Sequence, residues 1–228
     1  MLRKWRNRKR CRDLISRCGQ PALSTYMESC AALDPDHIAN TPLIAADLEL
    51  TGLDSDQNQI ISIGWTLVDR GRIRIGSNRH LLISADQSVG SSAAIHELTD
   101  AEVAEGVPLS DGLESLFADA AGRVWVFHHA GLDVTFLQKA CRDWAGVAPP
   151  FMVLDTMQIE MAMRKRREQP LQQGDLQLSR LRSEYHLPRY TAHDALIDAV
   201  ATAELLLAIS TRLERSKPLV LSPHIRYF

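Results

Sequence analysis

Two carboxylates, Asp47 and Glu49, interrupt the otherwise apolar stretch that runs from Leu43 to Gly52. Read as a strand, the stretch alternates its side chains between faces, so both acids point the same way. A lone D-x-E is expected by chance in a chain of 228 residues. Two further acids give it weight. Between 131 and 145 the apolar positions Phe136, Leu137, Ala140 and Trp144 form a helical stripe that runs back through Asp133. Between 194 and 213, Ala195, Thr202, Leu205, Leu206 and Ile209 form another, which passes through Asp198. Acids aimed at one region repel: two carboxylates about 6 Å apart in an effective dielectric near 20 do so by roughly 3 kcal/mol. Such a set requires cations.

All four candidate ligands are hard oxygen donors, with no thiolate or paired histidine among them, which points to Mg2+ or Mn2+ rather than Zn2+. Two such ions suit phosphoryl-transfer hydrolysis, because they activate water, orient a phosphodiester and stabilise the leaving oxygen. His193, five residues before Asp198, is the candidate general base. Five helical residues turn the chain by about 140°, so His193 is expected in or just before the first turn rather than on the face of Asp198.

These residues need a scaffold. Segments 43–49, 60–68 and 72–83 read as three strands joined by short turns, which predicts antiparallel neighbours. Beyond them, 99–106 and 109–122 read as helices, 123–128 as a compact strand, 131–145 as a helix and 151–156 as a last strand. A helix ending in Arg164, Lys165, Arg166 and Arg167 follows, then a polar loop and helices near 178–186 and 194–213. Strands in a meander followed by β-α-β-α units predict an α/β domain with one mixed sheet covered by helices.

The composition, 45% apolar and 24% charged, excludes a disordered chain, and no apolar run approaches the roughly 18 residues of a membrane span. The four cysteines, three of them within the first 30 residues, form no close metal-type pair and suit a reduced, cytoplasmic protein. The net charge of −2 conceals an asymmetry: residues 1–18 carry eight Lys or Arg against one Asp, +7, which leaves −9 for the rest. That run reads either as a solvated arm or as a weak nucleic-acid or partner contact. The expected organisation is a basic extension with a short helical segment over 1–40, a catalytic domain over 41–214 and a tail over 215–228.

The motifs "DLELTG", "HHAGLDVTFL" and "HDALIDA" resemble, in order and spacing, those of the DEDDh 3'-5' exonucleases, which include the proofreading epsilon subunit of bacterial DNA polymerase III. The resemblance spans about residues 42–210 and implies a ribonuclease H-like fold, a five-stranded sheet of order 3-2-1-4-5 with strand 2 antiparallel. It implies that Asp47 bridges two ions, that Glu49 and Asp198 help hold the one carrying the attacking water, and that Asp133 sits near the other. His193 would be the base. The implied reaction releases nucleoside 5'-monophosphates from single-stranded 3' ends, DNA in preference to RNA, with a polymerase or replication protein as a candidate partner. An exoribonuclease, or a replication-associated nucleic-acid-binding module with little activity, is the alternative.

Departures from the family pattern fall among residues that would touch substrate. Leu50 stands where a second threonine is usual, beside matching Thr51 and Gly52, while His129 and Leu132 replace an asparagine and a phenylalanine. His96, in "IHELT", is similarly placed against the terminal nucleotide by the resemblance. Asp155 is read as a helix cap because Gln158 follows it by three. Asp194 is read as a first-turn acid capped by Thr191. The 164–167 run is read as a solvated helix end or a phosphate contact.

Overall fold

Six strands form one sheet in the order β3-β2-β1-β4-β5-β6. The computed structural model describes residues 2–84, 105–191, 193–214 and 220–228. In chain order the elements are α1 (Leu2–Ile15), α2 (Pro21–Ala32), β1 (Leu43–Leu50), β2 (Ile60–Asp69), β3 (Arg72–Leu82), α3 (Leu109–Ala120), β4 (Val124–Phe127), α4 (Gly131–Ala145), β5 (Met152–Asp155), α5 (Thr156–Arg166), α6 (Leu178–Glu184), α7 (Ala195–Glu214) and β6 (Ile225–Tyr227). β2 runs antiparallel to β1 and β3, and β4 runs parallel to β1 and β5. The mixed sheet and its order thus match the expectation for five strands. His96, and all but the last two residues of the helix expected over 99–106, lie outside the described residues.

The sixth strand is a correction. β6 comes from the segment expected to be a tail, and it pairs antiparallel with β5. Three residues are too few for a periodic signal, and their extended form comes from the hydrogen bonds that the edge of β5 offers. The basic run, left open between a solvated arm and a nucleic-acid or partner contact, forms helix α1, which buries Asn7 and Cys11, packs on α2, and ties Arg10 to the Phe228 carbonyl. α2 in turn inserts Tyr26 among Phe117, Trp125 and Phe151, where its hydroxyl accepts from Trp125 Nε1 at 2.9 Å and donates to the Pro150 carbonyl at 3.0 Å. The extension is therefore continuous with the core rather than appended to it. Among the described residues no helix is long and apolar enough to cross a membrane.

The short β4 matters most for function. It pairs with β1 only from Leu43 to Ala45, so the backbone of β1 beyond Ala45 is left open on that edge, and there α4 begins. On the other edge β1 stays paired with β2 through Asp47↔Gly64 and Glu49↔Ser62, and the register slips by one between Glu49 and Leu50. A bulge at the end of a strand re-aims the side chains beside it.

Candidate active site

Asp47 and Glu49 project from one face of β1, and α7 lies across that face. The approach is close because position 64 is glycine: a Cβ there would fall 2.1 Å from the Ala195 carbonyl carbon and 2.2 Å from the Leu196 nitrogen. Gly64 sits directly opposite Asp47 in the register, so the first turn of α7 can settle beside that carboxylate. Asp198, one turn into α7, is thereby brought over the strand. One oxygen from each of Asp47, Glu49 and Asp198 lies within 4.8 Å of the others.

Asp133 is set one step back. Its carboxylate accepts hydrogen bonds from its own N–H and from that of Leu48, the residue between Asp47 and Glu49 on the open edge of β1. Asp133 is 6% exposed and Glu49 5%. Burial pushes every acid of the group upward: Asp47 well above the usual carboxylate range, Glu49 to about 8, and Asp133 and Asp198 also above theirs. After burial, the charge of Asp133 acts most on Asp47 and that of Asp198 most on Glu49. The mutual repulsion expected from the sequence is thus present in the folded chain. An all-carboxylate donor set that resists ionisation when empty of cations fits a hard divalent ion.

His193 precedes α7, as its spacing from Asp198 requires, in a left-handed backbone conformation with φ 71°. Its backbone N–H donates to Asp198 Oδ2 at 2.9 Å, which fixes both residues to each other. Asp194 departs from expectation: it is itself the cap of α7, accepting from the Ile197 N–H at 2.9 Å, so Thr191 is not required for that role. His129 is exposed and also left-handed, φ 72°, and Leu132 is half-buried in the first turn of α4. Non-glycine residues in this region of backbone space are uncommon and strained, and they collect at functional sites. Leu50 is buried, whereas the Thr51 hydroxyl accepts from the Gln59 N–H at 2.9 Å and Gly52 leaves room for Asn58.

Three features of the site are not anticipated. Asp155 does cap α5, accepting from the Gln158 N–H at 3.1 Å, but it also accepts from the N–H groups of His129 and Ala130, each at 3.2 Å. One buried carboxylate therefore fixes the entry to α4 and with it Asp133. Gly64 carried a signal, a glycine within a strand, which marks a close backbone approach. The third feature is an open cleft of about 970 Å³ that begins at Asp198, His193 and His129 and extends along α6. Its far wall, the loop before α6, is pinned by His128, whose Nε2 donates to the Leu176 carbonyl at 2.8 Å and whose Nδ1 meets the Thr156 hydroxyl at 2.8 Å. Of the basic run, Arg164 is buried against Glu160, Glu184 and Asp175, whereas Lys165, Arg166 and Arg167 are exposed.

Residues 44–206 match the family model RNase_T, described as an exonuclease. Among curated proteins, the chain is 27% identical over 180 residues to the 3'-5' exonuclease DinG of Staphylococcus haemolyticus, covering 78% of this chain and 19% of that protein. The chain spans about a fifth of the length of the first curated relatives it matches. Among solved structures, Escherichia coli Exonuclease I in complex with a 5cy-dT13 oligonucleotide superposes with a TM-score of 0.62 at 14% identity, over 77% of this chain and 42% of that one. Exonuclease I of Methylocaldum szegediense does so with a TM-score of 0.63 at 16% identity, over 75% and 41%. At these identities the structural likeness is one of fold.

Proposed function

This chain belongs to the RNase_T exonuclease family, and from that premise we propose that it is a 3'-5' exonuclease dependent on divalent cations, releasing nucleoside 5'-monophosphates from single-stranded ends, DNA in preference to RNA. The observation that carries the reading is the meeting of Asp47, Glu49 and Asp198 within 4.8 Å of one another, with Asp198 also lining a cleft. Asp47, Glu49 and Asp198 would hold the cations, with Asp133 beside them. Two Mg2+ or Mn2+ ions would neutralise the phosphoryl oxygens and lower the pKa of the attacking water.

The residues of the chain supply the rest. His193 lines the same cleft as Asp198, and its imidazole takes a proton from the attacking water. The hydrogen bond from its backbone to Asp198 keeps base and ligand in register as the proton moves. Leu50, Thr51 and Gly52 shape the surface beyond Glu49 for the terminal nucleotide, with His129 and Leu132 on the α4 side. Support for the 3'-5' direction comes from the 3'-5' exonuclease relative, and support for a DNA substrate from the oligonucleotide bound to the Escherichia coli structural neighbour.

Digestion of 5'-labelled single-stranded DNA and RNA of one sequence, with Mg2+, Mn2+ or chelator, tests the reading. The expected result is a ladder shortening from the 3' end, faster on DNA, with mononucleotide product and no cleavage in chelator. His193→Ala will lower kcat by about 10²- to 10⁴-fold while leaving cation binding in place. Cleavage that persists in chelator, or that releases the 5' label first, refutes it.

A further inference from the structure

The cleft beside the carboxylates continues well beyond them. Its volume of about 970 Å³ is at the upper end of the roughly 300–1,000 Å³ of small-molecule sites, which leaves room for more than the single nucleotide released. Arg189 and Tyr190, in the segment between α6 and α7, line the cleft, and Arg180 lines the α6 wall. Leu50, Thr51 and Gly52, at the end of β1 and just beyond it, are not among the cleft residues.

Tyr190 is built into place. Arg182 beneath it is buried, donating to the carbonyls of Ala201 at 2.7 Å and Pro188 at 2.9 Å and to Glu204 at 2.8 Å. Its guanidinium lies 4.5 Å from the centroid of the Tyr190 ring, and the tyrosine hydroxyl donates to Glu204 at 3.0 Å. One face of the ring is thus held by a fixed cation and the hydroxyl is anchored, yet Tyr190 remains 42% exposed along the cleft. An aromatic fixed this way loses little freedom on stacking. Arg189 is exposed and has no carboxylate partner among the described residues, and Arg180 has only a surface pair with Glu184 at 3.4 Å. Aromatic and arginine side chains along one groove are what a single strand requires, bases for stacking and phosphates for the guanidinium groups.

We propose that this cleft carries the strand upstream of the bond being cut, with Tyr190 as the platform for an upstream base and Arg189 and Arg180 as phosphate contacts. The proposal rests on the 3'-5' exonuclease reading above, which places the terminal nucleotide on the Leu50–Gly52 flank and leaves the rest of the strand to the α6 side.

The test compares the single strand dT12 with the p-nitrophenyl ester of thymidine 5'-monophosphate, which has no upstream strand. In the intact chain, Tyr190→Ala will lower kcat/KM for dT12, relative to kcat/KM for the ester, about ten-fold. Tyr190→Phe, which keeps the ring and loses the bond to Glu204, will restore the wild-type ratio. Arg189→Ala will reduce the slope of log affinity against log salt by about 0.7. Fluorescence anisotropy of labelled dT12 in chelator reads the same contacts without turnover. Equal losses on both substrates, or a ratio that does not move, overturn the strand path. Binding of dT12 that depends on Tyr190 in a protein that hydrolyses neither substrate overturns the exonuclease reading and leaves the strand path standing.

Discussion

Asp47→Asn will abolish nuclease activity and at the same time stabilise the cation-free protein at neutral pH. Asp47 is held well above the usual carboxylate range first by burial, then by the charges of Asp133, Glu49 and Asp198. A carboxyl whose pKa is higher in the folded than in the unfolded chain binds its proton more tightly when folded. Its contribution to stability is therefore complete below about pH 4 and is lost as pH rises. For Glu49 the loss extends to about pH 8. Replacing a carboxyl that the fold makes costly to ionise by a neutral amide should return about 1–3 kcal/mol at pH 7, the scale of the repulsion between two such groups. For a domain of this size that corresponds to a rise in Tm of roughly 2–10 °C. Thermal unfolding in chelator from pH 5 to pH 8 will show the wild type falling relative to Asp47→Asn. Added Mg2+ will raise the wild type and leave the variant nearly unchanged, while turnover by the variant drops about 10³-fold or more. A variant no more stable than wild type in chelator would remove the electrostatic basis of the site.

Gly64→Ala is expected to do comparable damage from a position that touches no substrate. The new Cβ would meet the backbone of α7 at 2.1 Å, and backbone cannot rotate aside as a side chain can. α7 must retreat by about an ångström, because interiors are close-packed. Overpacking of this kind costs about 1–3 kcal/mol. The larger effect is on catalysis, since the displacement carries Asp198 away from Asp47 and Glu49, and a shift of about 1 Å lowers rates by about 10²-fold. Gly76→Ala on β3, where an added Cβ meets nothing within 4 Å, is the matched control and should change neither Tm nor turnover. Equal activity in the two variants would show that the close packing of α7 on β2 does not set the geometry of the carboxylates.

The acids were legible in the sequence because each breaks a pattern: Asp47 and Glu49 break an apolar strand, and Asp133 and Asp198 break apolar helical stripes. The structure brings Asp47, Glu49 and Asp198 together and sets Asp133 against the backbone between two of them. What stayed hidden depends on contacts between distant segments. Nothing local to Asp155 shows that its carboxylate also holds two N–H groups at the start of α4. The charge of residues 1–18 dominates their composition and masks the sparse buried positions, Asn7 and Cys11, by which α1 packs. β6 is a strand only because β5 offers it an edge. Tyr190 in isolation is an ordinary loop tyrosine, and its role emerges from the buried Arg182 beneath it.

The central claim is that the cluster on β1 and α7 is a divalent-cation site. Calorimetric titration of Mn2+ into the protein at pH 7, repeated in two buffers of different ionisation enthalpy, tests it directly. The expected result is saturable binding with proton release, because Glu49, with a pKa of about 8, must ionise to bind, and affinity reduced about 100-fold or more in Asp47→Asn. Binding to Asp47→Asn as tight as to the wild type, or no release of protons, would contradict it.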